Sequence, residues 1–141
     1  MTASVAPELV EAFERLTAAV LRRRGLDNET LPPTQRVALA AVVCEGPLRL
    51  GALAERIGTT DATASRTVDA LEGAGLVART VAPDDRRGIV VGVTAAGRRR
   101  LEERRRQFAE ALEAGLAGLP PEDAERLVRL LGDLAEALGR P

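Results

Sequence analysis

The sequence lacks histidine, tryptophan, tyrosine and lysine, and it contains one cysteine and two phenylalanines. Without histidine and with Cys44 alone, the chain has too few nitrogen and sulfur ligands for a protein-built zinc, copper or iron site. The same absences exclude Ser-His-Asp and Cys-His catalytic arrangements. The 21 acidic residues lie mostly at the spacings of solvated helix faces. We therefore expect no cofactor and no enzymatic activity.

The sequence also lacks the features of exported and membrane proteins. Its first residues, MTASVAP, show no positive segment followed by an apolar one, and no run of about 18 apolar residues occurs. A single cysteine cannot form an intramolecular disulfide, which is compatible with a reducing compartment. These observations favour the cytoplasm and predict no membrane partner.

The 141 residues suit either one compact domain or one domain that carries a dimerisation extension. Their 20 basic and 21 acidic side chains almost cancel, but the charges are segregated. Residues 95–106 carry six Arg and two Glu, whereas residues 47–94 carry six of each sign. All the basic residues are arginines, whose guanidinium forks suit phosphate and groove contacts better than a diffuse positive field does.

Helical periodicity is clear at both ends of the chain. Apolar residues recur on one face from about Pro7 to Arg24, and a second stripe runs from Leu127 to Leu138. Between them a long helix begins after the predicted N-cap Thr94, with a polar first half and an apolar second half, which predicts an exposed start and a packed end. A chain of this size has too little core to cover these apolar stripes. We therefore expect the stripes to be buried against a second copy of the chain, in a homodimer.

The middle of the chain has the order of a winged helix. A largely apolar helix at 34–45 is followed by a short helix at 50–57. A longer helix begins at Thr60 or Asp61, with Thr60 as its expected N-cap, and reaches Glu72. Gly58 between the last two predicts a helix-turn-helix. Two segments of period two then flank residues 82–88, as in a hairpin with a charged tip. The predicted fold is mainly α with a small β-hairpin wing.

Eight short stretches in this region resemble the MarR-type transcription regulators. In order, they are LPPTQ at 31–35, GPL at 46–48, LAERIG at 53–58, TASR at 63–66, VDALE at 68–72, GLV at 75–77, PDDRR at 83–87 and VTAAG at 93–97. The resemblance implies a single chain with a winged helix-turn-helix DNA-binding lobe at 31–94, flanked by dimerisation helices at 1–30 and 95–141. It also implies a homodimer on a pseudo-palindromic operator of double-stranded DNA, with repression relieved by an effector.

Residues at two places are the predicted DNA contacts. The first turns of the helix from Thr60 to Glu72 would lie in the major groove, and the wing tip would reach the adjacent minor groove. Arg66 is the strongest candidate on the helix, because a guanidinium can bind guanine or phosphate in bidentate fashion. Its alternative partner is an internal acid such as Asp69. At the tip, the resemblance implies that an acid orients the second arginine. The predicted contacts are Thr60, Ala62, Thr63, Ser65, Arg66, Asp85, Arg86 and Arg87.

Two departures from the family pattern bear on DNA recognition. Arg49 stands where a Thr or Ser cap is common, and Ala62 and Ala64 occupy positions that frequently carry larger or polar side chains. We therefore expect few base contacts and a larger contribution from operator shape. The resemblance also implies a small lipophilic or anionic effector, in a crevice between the dimerisation helices and the DNA-binding lobe.

Two alternatives remain open at the level of sequence. A redox regulator would use Cys44, but the apolar helix around this residue predicts a buried and unreactive thiol. A winged helix used only for protein contacts is compatible with the zero net charge of residues 47–94.

Overall fold

The computed structural model describes residues 4–24, 31–85 and 87–139. They form six helices and three strands in the order α1 (Ala6–Arg24), α2 (Pro33–Glu45), β1 (Leu48–Arg49), α3 (Leu50–Ile57), α4 (Asp61–Gly73), β2 (Val77–Val81), β3 (Ile89–Val93), α5 (Ala95–Leu116) and α6 (Pro121–Gly139). This architecture agrees with the predicted fold class, mainly helical with a small antiparallel wing.

The chain divides into two compact units. The central lobe is Leu26–Arg106, and the helical unit joins Met1–Gly25 to Gln107–Pro141. Helix α5 contributes its first part to the lobe and its last part to the helical unit.

One hydrophobic core holds the central lobe together. Leu39 and Val42 of α2 are about 1% exposed, and Leu53 of α3 and Val68 of α4 are fully buried. The start of α5 closes this core with Leu101. Burial of each such side chain contributes about 1.5–3 kcal/mol. Helix α2 packs against α3, α4 and β3, so this largely apolar helix lies at the centre of the lobe.

The wing belongs to a three-stranded antiparallel sheet with the order β1-β3-β2. Val77 lies opposite Val93 and Val81 opposite Ile89, so β2 and β3 form the hairpin predicted around residues 82–88. Strand β1 adds the pair Arg49 and Val90. Sequence analysis missed β1, because two residues are too few to display a period.

The helical unit leaves its apolar stripes uncovered. Among its described residues, Val20 is the one large apolar side chain that is buried, at 4% exposure. The prediction of a packed end for α5 is wrong within one chain. The buried residues of α5, Gly97 and Leu101, lie near its start. Leu112 is half-buried and Leu116 is exposed. Within the described ranges, no helix is long and apolar enough to cross a membrane.

Candidate nucleic-acid interface

A tight turn sets the orientation of α4 relative to α3. Gly58 ends α3 with φ 67° and ψ 41°, in the left-handed region that glycine adopts without steric cost. The amide of Thr59 donates a 3.0 Å hydrogen bond to the carbonyl oxygen of Ala54. The two helices therefore join through a compact turn, as a helix-turn-helix requires.

Thr60 caps the N-terminus of α4, as the sequence predicts. Its backbone is extended, and its hydroxyl oxygen accepts a 3.2 Å hydrogen bond from the amide of Thr63. The same hydroxyl donates to Oγ1 of Thr63 at 3.1 Å. Both threonine hydroxyls thus help to order the first turn of α4.

The remaining α4 candidates lie on the face that points away from the core. Ala64, Thr67, Val68 and Leu71 are buried against the lobe. Ala62 and Arg66, one helical turn apart, are exposed, and Ser65 beside them is half-buried. The structure therefore brings Ala62, Ser65 and Arg66 together on one outward surface.

Arg79 of β2 binds two acids of α4. Its Nη2 lies 2.7 Å from Oδ1 of Asp69, and its Nη1 lies 3.0 Å from Oε1 of Glu72. The hydrogen bond to Asp69 is the main cause of the raised pKa of the Arg79 guanidinium. Asp69 is therefore occupied by Arg79 rather than by Arg66. In the part of the chain that the structure describes, the Arg66 side chain makes no hydrogen bond or ion pair.

The wing tip is ordered by the backbone and by Asp85. The amide of Ala82 donates to the carbonyl oxygen of Gly88 at 2.8 Å, and the amide of Gly88 donates to the carbonyl oxygen of Asp85 at 2.9 Å. Oδ1 of Asp85 accepts a 3.0 Å hydrogen bond from the amide of Arg87. The acid thus orients the Arg87 backbone, and the side chain of Arg87 is exposed. Arg86, also a predicted contact, lies outside the described residues.

Sequence analysis missed the roles of two arginines near these surfaces. Arg79 gives no local signal, because its partners precede it by ten and seven residues. Arg49 contacts the wing acids, with Nη2 3.5 Å from Oδ1 of Asp84 and 3.9 Å from Oδ2 of Asp85. Its presence at a position where a capping hydroxyl is common was the available signal.

The expectation of a buried thiol is wrong. Cys44 lies in the last turn of α2 and is exposed. Nη2 of Arg105 is 3.5 Å from its Sγ, so a cation faces the thiol. Periodicity did not separate the inner and outer faces of so apolar a helix. Among the described residues, no cluster of three or more His, Cys, Asp or Glu could hold a metal ion.

A depression of about 440 Å³ lies in the helical unit, between α1 and the last part of α5. Val20 and Leu112 are among its apolar walls, and Arg22 and Arg23 also line it. It therefore combines apolar surface with two cationic groups.

Helix α3, the turn, α4 and the β2–β3 hairpin define a winged helix-turn-helix protein. The MarR family model matches residues 31–89. Residues 31–89 therefore form a MarR-type region, and the members of this family are transcription regulators.

Similar proteins support this assignment over different lengths. The HTH-type transcriptional repressor YetL of Bacillus subtilis is 33% identical over 86 residues, which cover 61% of this chain and 52% of YetL. A MarR family protein from Bacillus stearothermophilus has a TM-score of 0.79 at 25% identity, with 99% of each chain covered. BpsR of Bordetella bronchiseptica, whose DNA binding is regulated by 6-hydroxynicotinic acid, has a TM-score of 0.69 at 25% identity, with 94% of this chain and 93% of BpsR covered. The chain spans about half the length of the curated relatives it matches.

Proposed function

We propose that this protein is a transcription regulator that binds double-stranded DNA through α4 and the wing. The observation that carries the proposal is the outward face of α4, where Arg66 is exposed and has no partner within the described residues, while Arg79 holds the neighbouring acids. A guanidinium in this state can bind guanine or phosphate without first breaking an internal ion pair.

The distribution of charge supports a DNA surface in spite of the neutral sum. Asp69 and Glu72 are partly neutralised by Arg79, and Asp84 and Asp85 by Arg49. Repulsion between these acids and DNA phosphates is correspondingly reduced. Affinity then rests on a few arginines and on operator shape, as the sequence predicts.

We also propose that the protein acts as a homodimer on a pseudo-palindromic operator. Apolar side chains stay exposed along α1 and α6 of a single chain, among them Phe13 at 65% and Leu130 at 55%. A second copy would bury both stripes, and its two-fold symmetry would present two copies of α4 to two half-sites.

The regulatory mode we propose is repression relieved by a small lipophilic or anionic effector. YetL is a repressor, and BpsR responds to an aromatic acid. The depression in the helical unit has the volume of a small-molecule site, and Arg22 and Arg23 suit a carboxylate. A thermal-shift screen of aromatic and aliphatic carboxylates tests this, and binders should lower DNA affinity. If no binder affects DNA affinity, effector control is contradicted.

DNA binding is tested by fluorescence anisotropy with labelled duplex from the region upstream of the protein's own gene. The wild type should prefer this duplex to a scrambled one of equal length. Arg66→Ala should reduce affinity by about 1–3 kcal/mol if the guanidinium contacts a base. Arg129→Ala, which removes an equal charge from an exposed position on α6, is the control. No preference at low salt would contradict DNA recognition and favour a winged helix used for protein contacts.

A thiol-responsive regulator is a second candidate, because Cys44 is exposed beside Arg105. Under this function, hydrogen peroxide would oxidise the thiol to a sulfenic acid and lower operator affinity, and Cys44→Ser would be insensitive. Equal peroxide responses of the wild type and Cys44→Ser would eliminate this candidate.

A further inference from the structure

The side chain of Arg49 crosses from the start of α3 to the wing tip. Arg49 is the last residue of β1 and occupies the N-cap position of α3, where its side chain makes no capping hydrogen bond. Its backbone is held by pairing with Val90 of β3. The long cationic side chain of Arg49 therefore projects from the edge of the sheet toward the loop that connects β2 to β3.

The guanidinium of Arg49 lies directly against Gly88. A Cβ placed on Gly88 would overlap Nη1 of Arg49 and would lie 2.8 Å from its Cζ and 3.0 Å from its Nη2. Gly88 is not among the glycines with positive φ, so it is needed here for space rather than for an unusual backbone conformation. Because Gly88 has no side chain, the Arg49 guanidinium can pack against the backbone of the wing tip.

The acids of the tip connect Arg49 to Arg87. Nη2 of Arg49 faces Oδ1 of Asp84 at 3.5 Å and Oδ2 of Asp85 at 3.9 Å. The other oxygen of Asp85 accepts the hydrogen bond from the amide of Arg87. Exposed ion pairs of this length contribute little by themselves. Combined with the contact at Gly88, they restrain both sides of the tip.

We propose that Arg49 is a positioning residue, which holds the wing tip in the conformation that presents Arg87 to the minor groove. This inference rests on the proposed DNA-binding function for its purpose, but the restraint on the tip does not depend on DNA. Arg49 acts through Asp84, Asp85 and the Gly88 backbone, and it makes no DNA contact of its own.

Limited proteolysis measures the restraint without DNA. Trypsin cleavage after Arg87, followed by mass spectrometry, should be at least about threefold faster in Arg49→Gln than in the wild type, because local opening exposes the tip. Gly88→Ala should have the same effect, since its methyl group displaces the guanidinium without a change of charge, and Arg49→Lys should be intermediate. The matched control is Arg56→Gln, because Arg56 is paired with Glu45 at 2.8 Å in the same lobe and forms no ion pair with the described residues of the wing. Equal cleavage rates in the wild type, Arg49→Gln and Gly88→Ala would overturn the proposal.

A double-mutant cycle with operator DNA tests the purpose of the restraint. Arg49→Gln should weaken binding about threefold to tenfold when Arg87 is present and have little further effect in the Arg87→Ala background. Fully additive losses would mean that Arg49 contacts DNA itself and would contradict a positioning role. If the wild type binds no operator while Arg49→Gln still accelerates cleavage, the DNA-binding function fails and the restraint stands.

Discussion

Arginine supplies every side-chain cation of this chain, and arginines near α4 and the wing occupy two different environments. Arg49 binds acids that follow it by 35 and 36 residues, and Arg79 binds acids that precede it by ten and seven. Arg66 and Arg87 extend into solvent from α4 and from the wing tip. The first pair orders the surface, and the second pair is available to a ligand.

Replacement of Arg87 by alanine should weaken DNA binding on all operator sequences. An arginine in the minor groove responds to groove width and negative potential, so its loss removes a cationic contact rather than a base preference. The slope of log K against log salt should flatten by about one unit, measured by anisotropy over a salt series. Arg129→Ala should leave the slope unchanged, and an unchanged slope in Arg87→Ala would contradict the wing contact.

Cys44 should react readily with a thiol reagent in the native protein. Its side chain is exposed. The nearby Arg105 guanidinium would attract an anionic thiol reagent, such as an aromatic disulfide that carries carboxylates. Absorbance should show labelling in the folded state at a rate within about tenfold of that in denaturant. Labelling that requires unfolding would restore the buried thiol that the sequence predicted.

At the scale of the elements, the junction between β3 and α5 is closely packed around Gly97. Thr94 caps α5 by accepting a hydrogen bond from the amide of Gly97 at 3.0 Å, and its own hydroxyl donates to the carbonyl oxygen of Gly75 at 2.7 Å. The first turn of α5 is thereby held against the loop before β2. A Cβ on Gly97 would collide with the carbonyl of Leu76.

Gly97→Ala should therefore destabilise the central lobe. Relief of the collision requires a backbone shift, which costs about 1–3 kcal/mol of unfolding free energy. The matched control is Gly132→Ala in α6, where a Cβ meets nothing within 4 Å. That control should be neutral or stabilising by up to about 1 kcal/mol. Urea unfolding measures both, and a Gly97→Ala variant as stable as the wild type would contradict the packing of this junction.

At the scale of the whole molecule, the exposed stripes of the helical unit predict association. Leu131 and Leu134 of α6 are 48% and 40% exposed in a single chain. Burial of each leucine in a dimer would contribute about 1.5–3 kcal/mol, so their joint replacement by arginine should raise the dimer dissociation constant at least about 100-fold.

Sedimentation equilibrium at micromolar concentration tests this expectation. The wild type should sediment as a dimer and the double variant Leu131→Arg/Leu134→Arg as a monomer. Val37→Arg, at a 50% exposed apolar position on α2 of the central lobe, should remain dimeric. A monomeric wild type, or a double variant that stays dimeric, would contradict the assignment of α6 to the interface.

The amino-acid sequence alone determined the kind and order of most elements, because these depend on local spacing. Periods of 3.6 and two, together with Gly58 and the caps Thr60 and Thr94, correctly predicted the helix-turn-helix and the hairpin. They also placed Ala62, Ser65 and Arg66 near the start of α4, where the structure puts them on one outward surface.

The tertiary structure alone decided which charges meet and which side chains are exposed. Asp69 binds Arg79 rather than Arg66, Arg49 lies against Gly88, Cys44 faces solvent, and the buried part of α5 is its start rather than its end. Each of these contacts depends on how strands and helices pack across the lobe. Local spacing carries no information about the distance between residues that are remote in sequence, so these partners emerge only when the chain is folded.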